Sequence, residues 1–315
     1  MRIVFCGSGR FAVPSLRALS ATEHELVSVV TQPARPAGRS SRPRPTPVTA
    51  AAEEMGLQAW QCANINAPEA LERLGALAAD VMCVADFGQM IRQAARGQFR
   101  AAAFNLHASL LPALRGAAPI NWALIRGHRR TGVTTFSLVD EMDAGPVYVQ
   151  LAADVRPGET AEELRDRLAA LGAEAVCKTL ELLAAGRTQG QPQDESKATL
   201  APMLKKSDGL IDWSAEAASV CGLICGTWPW PGAQTVLRRA GGKAVAVVIA
   251  RAVAAEAGAG QRAPGELDGE LCVAAGTGRV RIEQIKPAGR RVMAWRDFVN
   301  GYRPAPGDRF ETPKE

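Results

Sequence analysis

Apolar and polar positions along this chain switch period several times, and each period names an element. Residues 2–6 (Arg-Ile-Val-Phe-Cys) and 81–85 (Val-Met-Cys-Val-Ala) are short, nearly unbroken apolar runs, the pattern of strands buried on both faces of a parallel sheet. Residues 25–31 and 58–61 read as further strands, and 11–20, 48–55 and 68–78 read as helices, with Pro14 compatible only with a first turn. Strand alternating with helix in this way implies βαβ units. Farther on, 118–126 reads as a helix and 131–137 and 146–154 as strands. Thr160-Ala-Glu-Glu163 is a capping box opening a helix with Leu164, Leu168 and Leu171 at helical spacing, which Gly186 closes. Beyond residue 206 the pattern changes. A helix ending near Gly226 is followed by short strands at 234–237, 244–249, 270–275 and 279–285, separated by glycine turns, as in a small barrel of the OB type.

Two polar residues interrupt the strand period at Phe104-Asn-Leu-His107. Asn105 and His107 leave the strand on one face, at its carboxyl end, where open α/β sheets place ligands. Spacing alone leaves two readings open. The pair is either a satisfied histidine beside a turn-capping asparagine or a set of N–H donors for a developing oxyanion. Asp143, in a later loop, would in the second case hold the imidazole tautomer and take up a proton. Gly7-x-Gly9-x-x-Ala12 formally matches a dinucleotide fingerprint, but the next strand ends in Thr31-Gln32 with no acid for a ribose, so the glycines imply a tight strand-to-helix turn. Asp86-Phe87-Gly88 mimics a kinase motif without its partners.

Composition narrows this picture. A chain of 315 residues, 47% hydrophobic and 22% charged, is long for one core and implies two domains. No apolar run is long and uncharged enough to span a bilayer, and the first residues lack a signal peptide's form, so a cytoplasmic protein without membrane contact is expected. The seven cysteines are scattered like buried thiols of a reducing compartment, and no zinc spacing accompanies Cys221 and Cys225, so no metal is expected. The net charge of +5 suits a polyanionic partner. Residues 32–47 carry Arg35, Arg39, Arg42 and Arg44 among prolines with no acid. That composition fits a mobile loop, either a solvated linker or an arm that seeks phosphates.

Asn105-x-His107-x-Ser109-Leu-Leu-Pro112, followed by Arg115-Gly-Ala-Ala-Pro119 and Asp143-Ala-Gly145, resembles the signature of the folate-dependent formyltransferases. Ile211-Asp-Trp213, Trp230-Pro-Gly-Ala233, and Phe298-Val-Asn-Gly-Tyr302 with Gly307-Asp-Arg-Phe310 resemble the branch of that family that acts on tRNA. The resemblance covers nearly the whole chain. It implies an α/β fold: a Rossmann-like parallel-sheet formyltransferase domain over 1–187, a linker over 188–206, and an OB-like tRNA-binding domain over 207–315. It further implies formyl transfer from 10-formyltetrahydrofolate, as co-substrate, to the α-amine of methionyl initiator tRNA, by a monomer. Asn105 and His107 would stabilise the oxyanion and Asp143 would orient His107. Ser109, Leu110, Leu111 and Pro112, with Phe87, Gly88, Gln89 and Met90, would shape the folate site. Arg35, Arg39, Arg42, Arg44, Lys205 and Lys206 would meet the tRNA. Relatives usually carry Ala-Tyr before Gly88, an acid at Arg10 and Ala-Phe-Asn at Gly226-Thr-Trp228; these departures bear on how substrates are held. The alternatives are a folate-dependent enzyme with a small amine acceptor, such as an amino-sugar nucleotide or glycinamide ribonucleotide, a 10-formyltetrahydrofolate hydrolase, or a non-catalytic tRNA-binding module.

Overall fold

The apolar runs at the start of the chain and at 81–85 lie side by side at the centre of one sheet, in a computed structural model that describes residues 1–36, 43–240, 242–256 and 262–313. In chain order the first elements are β1 (Arg2–Gly7), α1 (Val13–Ser20), β2 (Glu25–Thr31), β3 (Arg35–Pro36), β4 (Pro43–Arg44), α2 (Pro47–Glu54), β5 (Ala59–Gln61) and α3 (Pro68–Ala76). Next come β6 (Val81–Ala85), α4 (Gln93–Arg96), β7 (Ala102–His107), α5 (Pro119–Ile125), β8 (Arg130–Ser137), β9 (Val147–Asp154) and α6 (Ala161–Ala184). The sheet order is β5-β2-β1-β6-β7-β8-β9. The strands from β5 to β7 are parallel and β8 runs antiparallel to β7, so this is the Rossmann-like half of an α/β fold. Every residue of β6 is buried, as a strand covered on both faces requires.

Local chemistry sets the joints. Pro14 falls in the first turn of α1, and Thr46 caps α2 by accepting the Thr49 N–H at 3.0 Å. The Ser8 and Gly9 N–H groups donate to the Asp86 carbonyl, tying the turn after β1 to the segment after β6. A Cβ on Gly9 would fall 1.8 Å from Asp86 Oδ2, so glycine there reflects close packing against Asp86. In the arginine- and proline-rich segment the ends pair as β3 and β4, Arg35 with Arg44 and Pro36 with Pro43. A composition without apolar period had given no sign of that ladder.

The later elements are α7 (Ala217–Thr227), β10 (Ala233–Arg238), β11 (Val245–Ala255), β12 (Val273–Ala274), β13 (Arg279–Pro287), β14 (Met293–Ala294), α8 (Trp295–Tyr302) and β15 (Arg309–Glu311). Their antiparallel order is β12-β13-β11-β10-β15, with β14 beside β13. Glu266 bridges to Arg309 of β15 and Leu267 to Val273 of β12, so this segment joins the two edge strands and nearly closes a barrel. Phe298, Phe310, Ile249, Val280 and Trp213 fill its core, and the Trp213 indole N–H donates to Thr235 Oγ1 at 3.1 Å.

The chain divides into two compact units. One comprises Met1–Gly116, Thr131–Ala153 and Arg165–Ala201, and the other Ala117–Arg130, Asp154–Leu164 and Pro202–Glu315. Among the described residues no helix is long and apolar enough to cross a membrane, and no three His, Cys, Asp or Glu side chains gather as a metal site. All seven cysteines are free thiols.

Candidate active site

β7 shows why the two polar residues are where they are. Phe104 and Leu106 alternate to one face and are buried, Leu106 beneath Gly172 of α6, where a Cβ would come within 2.6 Å of its Cδ2. Asn105 and His107 take the other face, with His107 buried and Asn105 half-buried. The Asn105 amide has no hydrogen-bond partner among the described residues. His107 is fixed from two sides. Its Nε2 lies 2.9 Å from the Leu114 carbonyl, and its ring meets Phe136 of β8 edge-on at 6.5 Å. A carbonyl only accepts, so Nε2 carries the hydrogen and Nδ1 is the nitrogen left for chemistry.

Nδ1 faces Asp143 Oδ2 at 3.6 Å. The same oxygen accepts the Gly116 N–H at 2.8 Å, which anchors the carboxylate to the loop after β7. Asp143 sits in the left-handed region at φ 54°, a conformation Asp tolerates better than most residues. Gly145 has no room for a side chain, because a Cβ would fall 1.7 Å from the Ser137 carbonyl. The loop is also held from outside: Gln193 Nε2 donates to the Asp143 and Gly145 carbonyls at 2.8 and 2.7 Å. Gln193 Oε1 in turn accepts from Arg115, whose guanidinium forms a two-pronged pair with Glu195 and holds that carboxyl below its usual range. Residues 193–201 therefore bind along the loop at 112–116: Leu114 N–H donates to Thr199 Oγ1, and Arg115 pairs backbone to backbone with Thr199 and Ala201. The sequence had given this stretch only as part of a linker, since polar residues without a period carry no local signal.

The Ser109–Pro112 turn is equally constrained. Ser109 Oγ donates to the Ala113 carbonyl at 2.6 Å, and Thr134 Oγ1 donates to the Ser109 carbonyl at 2.6 Å. Gln150 Nε2 donates to the Leu111 carbonyl at 2.6 Å. Thr134 and Gln150 gave no sign in the sequence, being hidden in strand patterns. Leu111 is buried and Leu110 half-buried.

A neighbouring loop leaves the carboxyl end of β6, whose Ala85 pairs with Leu106 of β7. Phe87 turns its ring into the core, and Gln89 spends its amide on the backbone, accepting from Ile65 N–H and donating to the Cys62 carbonyl. Gly88 and Met90 are exposed. A cavity of about 380 Å³ lies here, with Ser8, Gly9, Gln32, Arg44, Asp86 and Gly88 in its lining. Burial of its carboxyl end pushes Asp86 up to about 6, against the lowering effect of the Phe11 N–H and Arg165, although the residue as a whole keeps exposed surface.

Of the residues expected to meet tRNA, Arg44, Lys205 and Lys206 are exposed. Arg39, Arg42 and the side chain of Arg35 lie outside the described residues. Arg10 is exposed and 4.0 Å from Asp166. Gly226 packs against α5, where a Cβ would fall 2.7 Å from Ile125 Cγ1, so this departure is matched to a helix contact.

Known proteins share this framework. The methionyl-tRNA formyltransferase of Geobacter sulfurreducens is 40% identical over 315 residues, covering 98% of this chain and 96% of that protein. The enzyme of the same name from Chlorobium luteolum is 42% identical over 96% of this chain and 98% of its own length. Among solved structures, an N-formyltransferase from Helicobacter canadensis, in complex with folinic acid and dTDP-3-aminofucose, has a TM-score of 0.65 at 14% identity, covering 90% of this chain and 98% of that one. HypX from Aquifex aeolicus in complex with tetrahydrofolic acid has a TM-score of 0.62 at 20% identity over 96% of this chain, which spans 47% of that protein. Residues 1–180 match the Formyl transferase family and residues 203–303 match the Formyl transferase C-terminal domain. This chain belongs to the formyl transferase family.

Proposed function

We propose that this protein transfers the formyl group of 10-formyltetrahydrofolate to the α-amine of methionyl initiator tRNA. The observation that carries this reading is 40% identity along 98% of the chain to an enzyme named for methionyl-tRNA formylation. The site geometry supports the roles. The amine of an aminoacyl ester is less basic than a free one, so much of it is neutral near pH 7, and its lone pair forms the new C–N bond to the formyl carbon. Negative charge then gathers on the formyl oxygen, where the unpartnered Asn105 amide and a proton on His107 Nδ1 donate. Asp143, 3.6 Å from Nδ1, balances the imidazolium and takes the proton the amine sheds. That proton passes to the folate nitrogen as its bond to the formyl carbon breaks. The rigid loops supply the positioning such a step chiefly needs.

In this reading residues 1–187 form the catalytic domain, 188–206 the linker and 207–315 the tRNA-binding domain. Ser109–Pro112, with the 87–90 loop, border the folate. Arg35, Arg39, Arg42, Arg44, Lys205 and Lys206 meet the tRNA backbone. The protein acts as a monomer in the cytoplasm, a reducing compartment that suits seven free thiols. The test is direct: purified protein, the folate donor and Met-charged initiator tRNA should yield formylmethionyl-tRNA, and a reaction without that product refutes the assignment.

A further inference from the structure

The unit comprising Ala117–Arg130, Asp154–Leu164 and Pro202–Glu315 holds a cavity of about 480 Å³, within the usual range for small-molecule sites (roughly 300–1,000 Å³) and lined by none of the individual residues given a role above. Three walls form it: the end of α5, the segment at 155–159, and α7 with β11. Its floor is small and apolar, with Leu124, Gly222, Cys221 and Ala252 among the lining residues. The lack of side-chain bulk at Gly222 has a cause. Gly222 lies so close to α5 that a Cβ would come within 2.6 Å of the Leu124 carbonyl, so the two helices meet without intervening side chains.

The rim is cationic. The His128 N–H bonds to the Ala123 carbonyl and the Gly127 N–H to the Leu124 carbonyl, with Gly127 at φ 67°, which is the Schellman ending of a helix. The chain then turns so that His128 and Arg129 line the cavity, and the Val155 N–H donates to the Arg129 carbonyl to bring Arg156 to the same opening. The side chains of His128, Arg129 and Arg156 have no hydrogen bond or ion pair among the described residues. The carboxylate lining the site, Glu159, is buried and accepts the Arg156 N–H at 3.0 Å. Two exposed arginines whose guanidinium groups have no ion pair among the described residues, above an apolar floor, match one ligand chemistry: phosphate on the guanidinium groups and a planar ring on the floor.

We infer that this cavity binds a phosphorylated nucleoside, with Arg129 and Arg156 on the phosphate and the base against the α7 floor. The nucleotide comes either from the bound tRNA or from free mononucleotide, and only the first source rests on the function proposed above.

Three proteins decide it: wild type, R129A/R156A, and Ala218→Trp, which fills the exposed side of the floor without changing charge. Each is measured for binding of radiolabelled AMP by equilibrium dialysis and of uncharged initiator tRNA by filter retention, neither of which needs formyl transfer, and then for KM of Met-tRNA and of the folate donor. If tRNA supplies the nucleotide, both variants weaken tRNA binding and raise the Met-tRNA KM about tenfold. The folate KM stays within about twofold, and the arginine variant also flattens the log affinity against log salt slope by about one to two. If free nucleotide is the ligand, both variants lose AMP binding and keep tRNA binding. Wild-type protein that binds no AMP, with variants that bind tRNA as wild type does, overturns the inference. So does an equal loss toward tRNA and folate, which would report a structural role.

Discussion

At the scale of single residues, the His107 imidazole has one nitrogen free for the proposed mechanism because the Leu114 carbonyl holds the other. In the proposed mechanism Asp143 has two separable duties, accepting the Gly116 N–H and handling charge at His107 Nδ1. Asn at this position keeps an acceptor for Gly116 and tolerates the positive φ, but cannot take a proton. Asp143→Asn should therefore lower kcat about a hundredfold or more with thermal stability nearly unchanged, whereas Asp143→Ala should lower both; steady-state rates beside a melting curve separate the two. Asn105→Ala removes one oxyanion donor and should cost about 10²–10³ in kcat. Asn105 and His107 were legible in the sequence because polar side chains at a strand end are out of place, and Asp143 because Asp143-Ala-Gly145 resembles the family signature. Gln193 was not, since nothing local distinguishes a glutamine that braces a loop from one that faces water. Asp86 carries the opposite sign of pH effect from an ion-paired acid. Its folded value is raised to about 6 while an unfolded aspartate titrates near 3.8. As pH rises between those values the unfolded chain releases its proton first, and stability falls. Asp86→Asn should accordingly melt above wild type at pH values beyond about 6 and coincide with it below about 4, by a margin that solvent at this partly exposed residue reduces. Identical melting curves across that range would mean the carboxylate is fully solvated.

At the scale of elements, the buried parallel strands β1 and β6 match their apolar runs closely, because a strand covered on both faces leaves little polar pattern to confuse the period. The barrel was harder to read. The strand expected at 270–275 shrinks to the two residues of β12, since Asp268 turns the chain there: its Oδ1 accepts the Glu270 and Cys272 N–H groups, both at 2.9 Å, and Leu271 takes φ 58°. β11 instead runs on to Ala255, past the expected end at 249, with its register shifting around Arg251 opposite β13. α4 and β14 are too short to set a period. The Asp268 turn adjoins the segment that closes the barrel, so it should matter for stability. Burial alone would raise the Asp268 carboxyl, but Arg279 at 2.8 Å and the two N–H groups outweigh it and hold it below its ordinary value. A lowered folded value contributes stability above the unfolded value of about 3.9 and loses it as pH falls below. Asp268→Asn should thus cost about 1–3 kcal/mol near neutrality, with the gap to wild type narrowing as the pH drops toward about 3. Urea unfolding at several pH values measures it, and a gap independent of pH would show that the charge is not what holds the turn.

At the scale of the whole molecule, a net charge of +5 is too small to bind a polyanion by itself, so where the cations stand matters more than their sum. Residues 32–47 concentrate four arginines without an acid, and Arg44 at the far end of the β3–β4 ladder also lines the cavity shared with Asp86 and Gly88. An acceptor as large and as charged as tRNA has a use for such a segment, and a small amine does not. Counterion release gives the difference a measurable form: each phosphate contact contributes about −0.9 to the slope of log affinity against log salt. The Met-tRNA KM should therefore climb steeply with ionic strength while the folate KM changes little. Replacing Arg39, Arg42 and Arg44 together with Ala should raise the Met-tRNA KM at least tenfold and flatten that slope by about two to three, with kcat at saturating tRNA and the folate KM within about twofold of wild type. Equal losses toward both substrates would mean that the segment supports the fold of the site and makes no contact with the nucleic acid.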